Sequence, residues 1–471
     1  MSFPTPLSPE VSWRSPVFPR SSPRSESPPC PTCPPCSAPG SPSPPSRTGS
    51  GSFPPEVSFW AFLTQVLSAN HACRTAQQNV LARLACYERR TASPNTSAYC
   101  QARRRLPCDW LADIHEGVVE RLEAAADRRR LWYGRVVKIV DGSGVSMPDT
   151  AENQAAFPRP RRKDGECGFP VARLAVIFSL RTGAVLDLAW DSLHVAETTL
   201  FRRMWSLLEA GDVLLADRGF CSFADLWCLM RRGVDSVMRL NARRSVGMRV
   251  VRVLGKNDRL VAWFKSKQIP IWMGREEWAA MPRELLLREI HVTVDIPGFR
   301  TREVTVVTTL LDKRAYPAEA FADLYRRRWL AELYLDDLKT SMGMDILRCK
   351  SPEMIEREIR MFLIAYNLVR ALILSAAQKY GADISRMSFM GTLVKVLDWA
   401  PILAGSRNKK ILHRLTKMFL FQIAFDPVPH RPNRVEPRAV KRRPKNYARL
   451  NKPRREYKEI FHRNKYVKAL S

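Results

Sequence analysis

"YRRRWLAELYLDDLK", residues 325–339, sets one glutamate among four cationic side chains and then adds two aspartates. Read as a helix at about 100° per residue, Tyr325, Arg328, Glu332 and Lys339 fall at about 0°, 300°, 340° and 320°, inside one sector of about 60°. Leu330, Tyr334, Leu335 and Leu338 spread around the rest. Asp336, at about 20°, shares the stripe, while Asp337, at about 120°, points elsewhere. A carboxylate flanked by two cations and a phenol fits an ordinary salt-bridged surface, with Arg328 and Glu332 an i,i+4 pair worth a few tenths of a kcal/mol. It fits equally a catalytic acid set in a phosphate-binding track.

The chain around this stretch has 471 residues, enough for roughly two to four domains and a large buried core. A net charge of +30 and a pI near 10.2 point to a polyanionic partner, most simply nucleic acid. An acidic membrane surface is the rival. The most apolar run, "MFLIAYNLVRALILSAA", carries Asn367 and Arg370 and falls short of the roughly 20 clean residues that a span needs, so it reads as a buried helix. Of eleven cysteines, eight are scattered singly, a usage that fits a reducing cytosol. "CPTCPPC" (Cys30, Cys33, Cys36) has a metal-clip spacing but no nearby fourth ligand. The first residues show neither a charged n-region nor an apolar h-region, so no signal peptide is expected.

Composition divides the chain. Residues 1–55 hold 17 of the 35 prolines, with serine filling most gaps; such a segment buries too little apolar surface to offset its ordering entropy and is expected to be disordered. Residues 56–130 show apolar spacings of three and four, with "TASPNTSAYCQARRRLP" as a polar turn and a basic helix. This is either a helical DNA-reading module or a plain helical scaffold. From 132 to 217, "WYGRVVKIVDGS", "VARLAVIFSL", "GAVLDLAW" and "GDVLLAD" read as strands covered on both faces, followed by helical "FADLWCLMRRG". Residues from 235 to about 311 read as a mostly β insertion plus a returning core strand. Long helices are expected at 317–343, 351–380 and 387–400. Residues 431–471 carry fifteen Lys/Arg against three Glu, a basic arm suited to phosphates.

Three acids stand out by place. Asp141 ends an apolar strand in "VVKIVDGSG", Asp217 ends another in "GDVLLADRGF", and Glu332 lies on the opening helix. Carboxylates at the C-terminal ends of buried strands lie where α/β sheets bind ligands. Two aspartates from neighbouring strands plus a glutamate from a helix packed over them could hold two Mg²⁺ ions, which take hard oxygen ligands and assist in-line phosphoryl displacement. "DGSG" is also a common turn, and "DRGF" equally suits a helix N-cap.

The pattern Y-x2-R-x3-E-x6-K is met at Tyr325, Arg328, Glu332 and Lys339, and in this the chain resembles the IS-four family of bacterial DDE transposases. "DGS" at Asp141 and "DRGF" at Asp217 are similar to that family's first and second aspartate motifs, in order. The resemblance covers roughly residues 57–455; the tail of residues 1–55 has no counterpart in it. It implies an α/β fold: an RNase H-like catalytic core over 131–350 with the β-rich insertion at about 235–307, a helical N-terminal DNA-binding domain, a helical region at 351–430 and a basic tail. It implies that Asp141, Asp217 and Glu332 bind divalent metal, two Mg²⁺ or Mn²⁺ in their place. Tyr325, Arg328 and Lys339 would contact terminal DNA, and a tryptophan of the insertion (Trp263, Trp272 or Trp278) would stack on a displaced base. It further implies double-stranded DNA partners (terminal inverted repeats and target DNA), strand cleavage and strand transfer with a hairpin step in members that use it, a homodimer in the synaptic complex, and a cytoplasmic, nucleoid-associated location. The alternative is a non-catalytic DNA-binding protein or repressor derived from a transposase.

Overall fold

Apolar residues fill both faces of 137–140 and 213–216 apart from Lys138, which pairs with Asp212, and this is the pattern of strands sealed between two layers. The computed structural model describes residues 53–86, 95–162, 165–166, 168–240, 248–293 and 303–429, all within one compact unit, Arg47–Ser471. The Pro/Ser tail through residue 52, the "CPTCPPC" segment and the basic arm from 431 lie outside the described residues. Four helices lead: α1 (Pro55–Leu67), α2 (Cys73–Cys86), α3 (Ser97–Arg104) and α4 (Cys108–Ala124). Strand β1 (Val137–Ser146), α5 (Ala151–Ala156), the short pair β2 (Arg161–Arg162) and β3 (Gly165–Glu166), β4 (Val171–Ser179) and β5 (Val185–Ser192) follow. Then come α6 (Glu197–Arg203), β6 (Val213–Ala216), α7 (Phe223–Arg231), β7 (Asp235–Arg239), β8 (Met248–Gly255), β9 (Asp258–Phe264), α8 (Arg275–Ala280), β10 (Glu284–Thr293) and β11 (Glu303–Thr308). The last described elements are α9 (Ala318–Arg327), α10 (Leu330–Asp336), a π-helical turn at Asp337–Ser341, α11 (Pro352–Tyr380), α12 (Phe389–Gly405) and α13 (Lys409–Ala424).

Nine strands form one mixed sheet in the order β5-β4-β1-β6-β7-β11-β10-β9-β8. β1, β6 and β7 run parallel, and every other neighbouring pair is antiparallel. Alternation along the strands gives each face its own core. Ile139, Leu215 and Val306 pack with Phe321, Tyr334 and Ile359 on one side. Val140, Leu214 and Met238 pack with Phe201, Leu226 and Trp278 on the other. α11 is the described helix long and apolar enough to cross a bilayer, yet it is the axis of the first layer and buries Arg357, Glu358, Asn367 and Arg370.

Several expectations are corrected. The single helix expected over 317–343 is broken into α9, α10 and the wide turn. β5 was read as sealed on both faces, but it is the edge strand of the sheet and only half-buried along most of its length. Asp141 does not end its strand: β1 continues to Ser146 because β4 pairs with it over that whole length. The helix expected to stop at residue 400 runs through Pro401 to Gly405; Pro401 is exposed, so water can take the carbonyl that its ring leaves unbonded. α13 was missed, although Asn408 caps it by accepting from the Lys410 and Ile411 amides.

Candidate active site

Register brings the first two acids level. On the parallel pair β1 and β6, Ile139 lies beside Leu215. Asp141 and Asp217 each lie two residues further along, so period-two alternation gives them the same level and the same face as that pair. The ladder between β1 and β6 has ended there, and the opening leaves both carboxylates partly exposed.

The face they share is the one covered by α9, α10 and α11. From Tyr325 to Glu332 the backbone is overwound: the amides of Arg328, Trp329, Ala331 and Glu332 each bond the carbonyl three residues back. From Asp337 it is underwound, with Met342 bonding Asp337 across five residues, and Met344 and Asp345 bonding Leu338 and Lys339 across six. Such tight and wide turns inside a helical run mark strain or function. Gly343 at φ +75° ends the run. A uniform 100° wheel therefore fails in detail, but the four residues still reach one place.

Three of them reach the aspartate strands, and Glu332 is joined to these through Arg328. The Tyr325 hydroxyl lies 3.5 Å from Asp217 Oδ1. Arg328 Nη2 donates to Glu332 Oε1 at 2.9 Å, and its Nη1 is 3.9 Å from Asp141 Oδ2. Lys339 Nζ donates to Ser143 Oγ at 2.8 Å. Tyr325 and Arg328 are buried, whereas the Glu332 side chain is half exposed. Burial raises the Asp141 pKa above its ordinary value; the Gly142 amide and Arg328 pull it down, and Glu332 and Asp217 push it up. Burial likewise holds the Tyr325 phenol protonated.

A cavity of about 430 Å³ opens here, lined by Asp141, Gly142, Ser143, Glu332, Asp336 and Lys339 among others. Two acids at this place carried no signal in sequence. Asp345 lines the cavity from beyond the wide turn. The Glu197 carboxylate lies on Gly142, where a Cβ would meet it at 2.2 Å, so a larger residue there would have to push that side chain away from its place beside Asp141. Of the three tryptophans, Trp263 and Trp278 are buried. Trp272 is exposed, its ring 4.0 Å from the Arg202 guanidinium, which Asp225 holds through two hydrogen bonds at 2.7 and 3.0 Å. On α3, Arg103 turns inward to Gln65 and the Phe62 ring, while Arg104 and Arg105 stay exposed.

Among the described residues no three His, Cys, Asp or Glu side chains converge closely enough to hold an ion in this arrangement; the Arg328 guanidinium spans Asp141 and Glu332 instead. The donors still suit a hard divalent cation: they are carboxylate oxygens, and Asp141 feels the charge of the other two.

Residues 132–368, just over half of the chain and including all three acids, match a family model described as "Transposase DDE domain". The chain is 27% identical over 354 residues to the transposase InsG for insertion sequence element IS4 of Escherichia coli strain K12, covering 74% of this chain and 77% of that protein. It is also similar to a solved piggyBac transposase synaptic complex with hairpin DNA, at 10% identity and a TM-score of 0.37, over 80% of this chain and 76% of that one. That likeness is too slight to bear on the fold.

Proposed function

Because the chain belongs to the DDE transposase family, of the IS4 type, we propose that it moves a DNA element by cutting at the element's ends and joining them to target DNA. It is a DNA transposase, an enzyme of phosphodiester hydrolysis and transesterification. The observation that carries the site assignment is the meeting of Asp141, Asp217 and Glu332 with Tyr325 and Arg328 at the opening between β1 and β6. The inner half of the sheet, β5-β4-β1-β6-β7 with only β1, β6 and β7 parallel, supports an RNase H-like core. β8 to β10 supply the insertion, and α1–α4 the DNA-reading region.

Asp141, Asp217 and Glu332 would hold the divalent ions, Mg²⁺ or Mn²⁺, two in number. When bound, the ions would neutralise charge on the phosphate and help activate the attacking oxygen. The other steps fall to the chain. Tyr325 orients the Asp217 carboxylate. Arg328 holds Glu332 and Asp141 in place, and a phosphate entering the cavity competes for the same Nη groups. Lys339, at the rim, offers a point charge to the DNA backbone. Water is the first nucleophile and the freed 3′-OH the second, each in line with its leaving oxygen. Trp272 is the insertion tryptophan exposed enough to stack on a displaced base, an interaction worth about 1–3 kcal/mol. Synapsis of two ends calls for a homodimer. The surroundings are the bacterial cytoplasm and its nucleoid.

Linear DNA carrying the element's inverted repeats, incubated with Mg²⁺, tests this reading. Wild type is expected to nick and then join, and Glu332→Ala to bind the same DNA without cutting. Binding by both with cleavage by neither would favour the DNA-binding repressor instead.

A further inference from the structure

α11 is apolar along most of its length, yet at its centre it buries Arg370, which is 4% exposed. Arg370 Nη2 donates to Asp337 Oδ2 at 2.7 Å, and Nε donates to the Tyr366 hydroxyl at 2.9 Å. The guanidinium lies 4.4 Å from the Tyr334 ring centre and 5.2 Å from those of Tyr366 and Phe389. The Tyr366 hydroxyl in turn donates to the Gly183 carbonyl at 2.9 Å. Gly183, at φ +74°, closes so tightly over this box that a Cβ would lie 3.1–3.2 Å from Tyr334 and the guanidinium.

An ion pair buried this way is a poor means of stabilising a core, since apolar side chains of equal volume do as well or better. Burial pushes the Asp337 carboxyl up to about 6 even though Arg370 pulls it down. What a charged, forked pair adds is position. Asp337 is the first residue of the wide turn, and its carbonyl accepts the Met342 amide that closes it. Within that turn Lys339 reaches Ser143 on β1, and just beyond it Asp345 reaches the cavity rim. His71, from the loop between α1 and α2, packs its ring on Gly343 at the far end.

We propose that Arg370 is a positioning residue for the active site. By fixing Asp337 it keeps the turn at 337–341 wide, and so holds Lys339 against β1 and Asp345 at the cavity. Its catalytic consequence rests on the transposase reading; its effect on the turn does not.

The test uses the full chain carrying Asp337→Asn, and in parallel Arg370→Lys, which keeps the charge but loses the fork. Hydrogen exchange is followed at Met342, Met344 and Asp345, with residues 359–366 of α11 as the internal reference. Cleavage is measured at saturating end DNA. The expected result for both variants is exchange at least tenfold faster at the turn with α11 unchanged, cleavage at least tenfold slower, and a Kd for the same DNA within twofold of wild type. Unchanged exchange at the turn, cleavage within twofold of wild type, or faster exchange spread equally over α11 would overturn the proposal. If one variant does not fold, the other carries the same readouts; if neither folds, the pair is merely structural and the proposal fails. Absence of cleavage by wild type would count against the transposase reading alone, with the exchange experiment still deciding the turn.

Discussion

Strands β4, β6 and β7 are buried along most of their length and β1 along half of it, whereas β8 at the opposite rim shows Arg249, Val250, Val251 and Arg252 to solvent in succession. The inner strands place carboxylates through register, which tolerates little movement, because a slip of one residue would turn Asp141 to the other face. The outer strands hold one face of a smaller core and leave the rest open. Fully buried Arg288 on β10 ties the outer strands to the segment that leads into α9. It pairs with Asp258 through hydrogen bonds at 2.8 and 2.7 Å and donates to the Tyr316 carbonyl just before α9. Burial is therefore concentrated around Asp141 and Asp217, and exposed charge is spread along the outer rim.

Substitutions can break that contrast. The largest effect is expected at the inner half, where Asp141→Asn lowers cleavage by at least about a thousandfold, on the order of 4 kcal/mol of transition-state free energy. The same change should raise the Tm measured without divalent cations. The Asp141 pKa is raised in the fold, so the folded chain binds this proton more readily than the unfolded one. Wild type then loses stability as pH climbs through the raised value. The stabilisation by asparagine should be present near pH 7 and fade near pH 3, and a lower Tm at neutral pH would contradict it. Next comes the tie from β10 to the segment before α9. Arg288→Met strands Asp258 and should cost about 3–5 kcal/mol in urea unfolding. Ile139→Val, two residues before Asp141, should cost about 0.5–1.5 kcal/mol. At the rim, Val251→Thr should stay within about 0.5 kcal/mol, and a larger loss there would mean that β8 is not the open edge described.

The signature around residue 325 carried most of this in sequence, because motifs of fixed spacing survive local distortion. Tyr325, Arg328, Glu332 and Lys339 meet at one place although the helix is first overwound and then underwound between them. Neither distortion was legible. The wide turn depends on partners far along the chain, Arg370 beneath Asp337 and the docked ring of His71. Glu197 was invisible for the same reason: only the path of β1 past α6 sets its carboxylate on Gly142. The edge position of β5 was hidden too, since an edge strand whose flank is covered by α4 and α11 can be as apolar as a central one. By contrast, the polar breaks at Asn367 and Arg370 in an otherwise apolar run marked a core helix correctly. Asn367 bonds both the amide and the carbonyl of Val185.

α11 also sets an order of events during synthesis. Arg357 bonds the Leu106 carbonyl across 251 positions, and Asn367 meets His115 across 252. Helices α1 to α4 therefore wait, apolar faces uncovered, until residues near 380 have been made, and separations of this length slow folding. A nascent chain halted just after residue 345 would already contain Asp141, Asp217, Glu332 and Asp345 and yet lack α11, the axis of the helical layer that covers their face of the sheet.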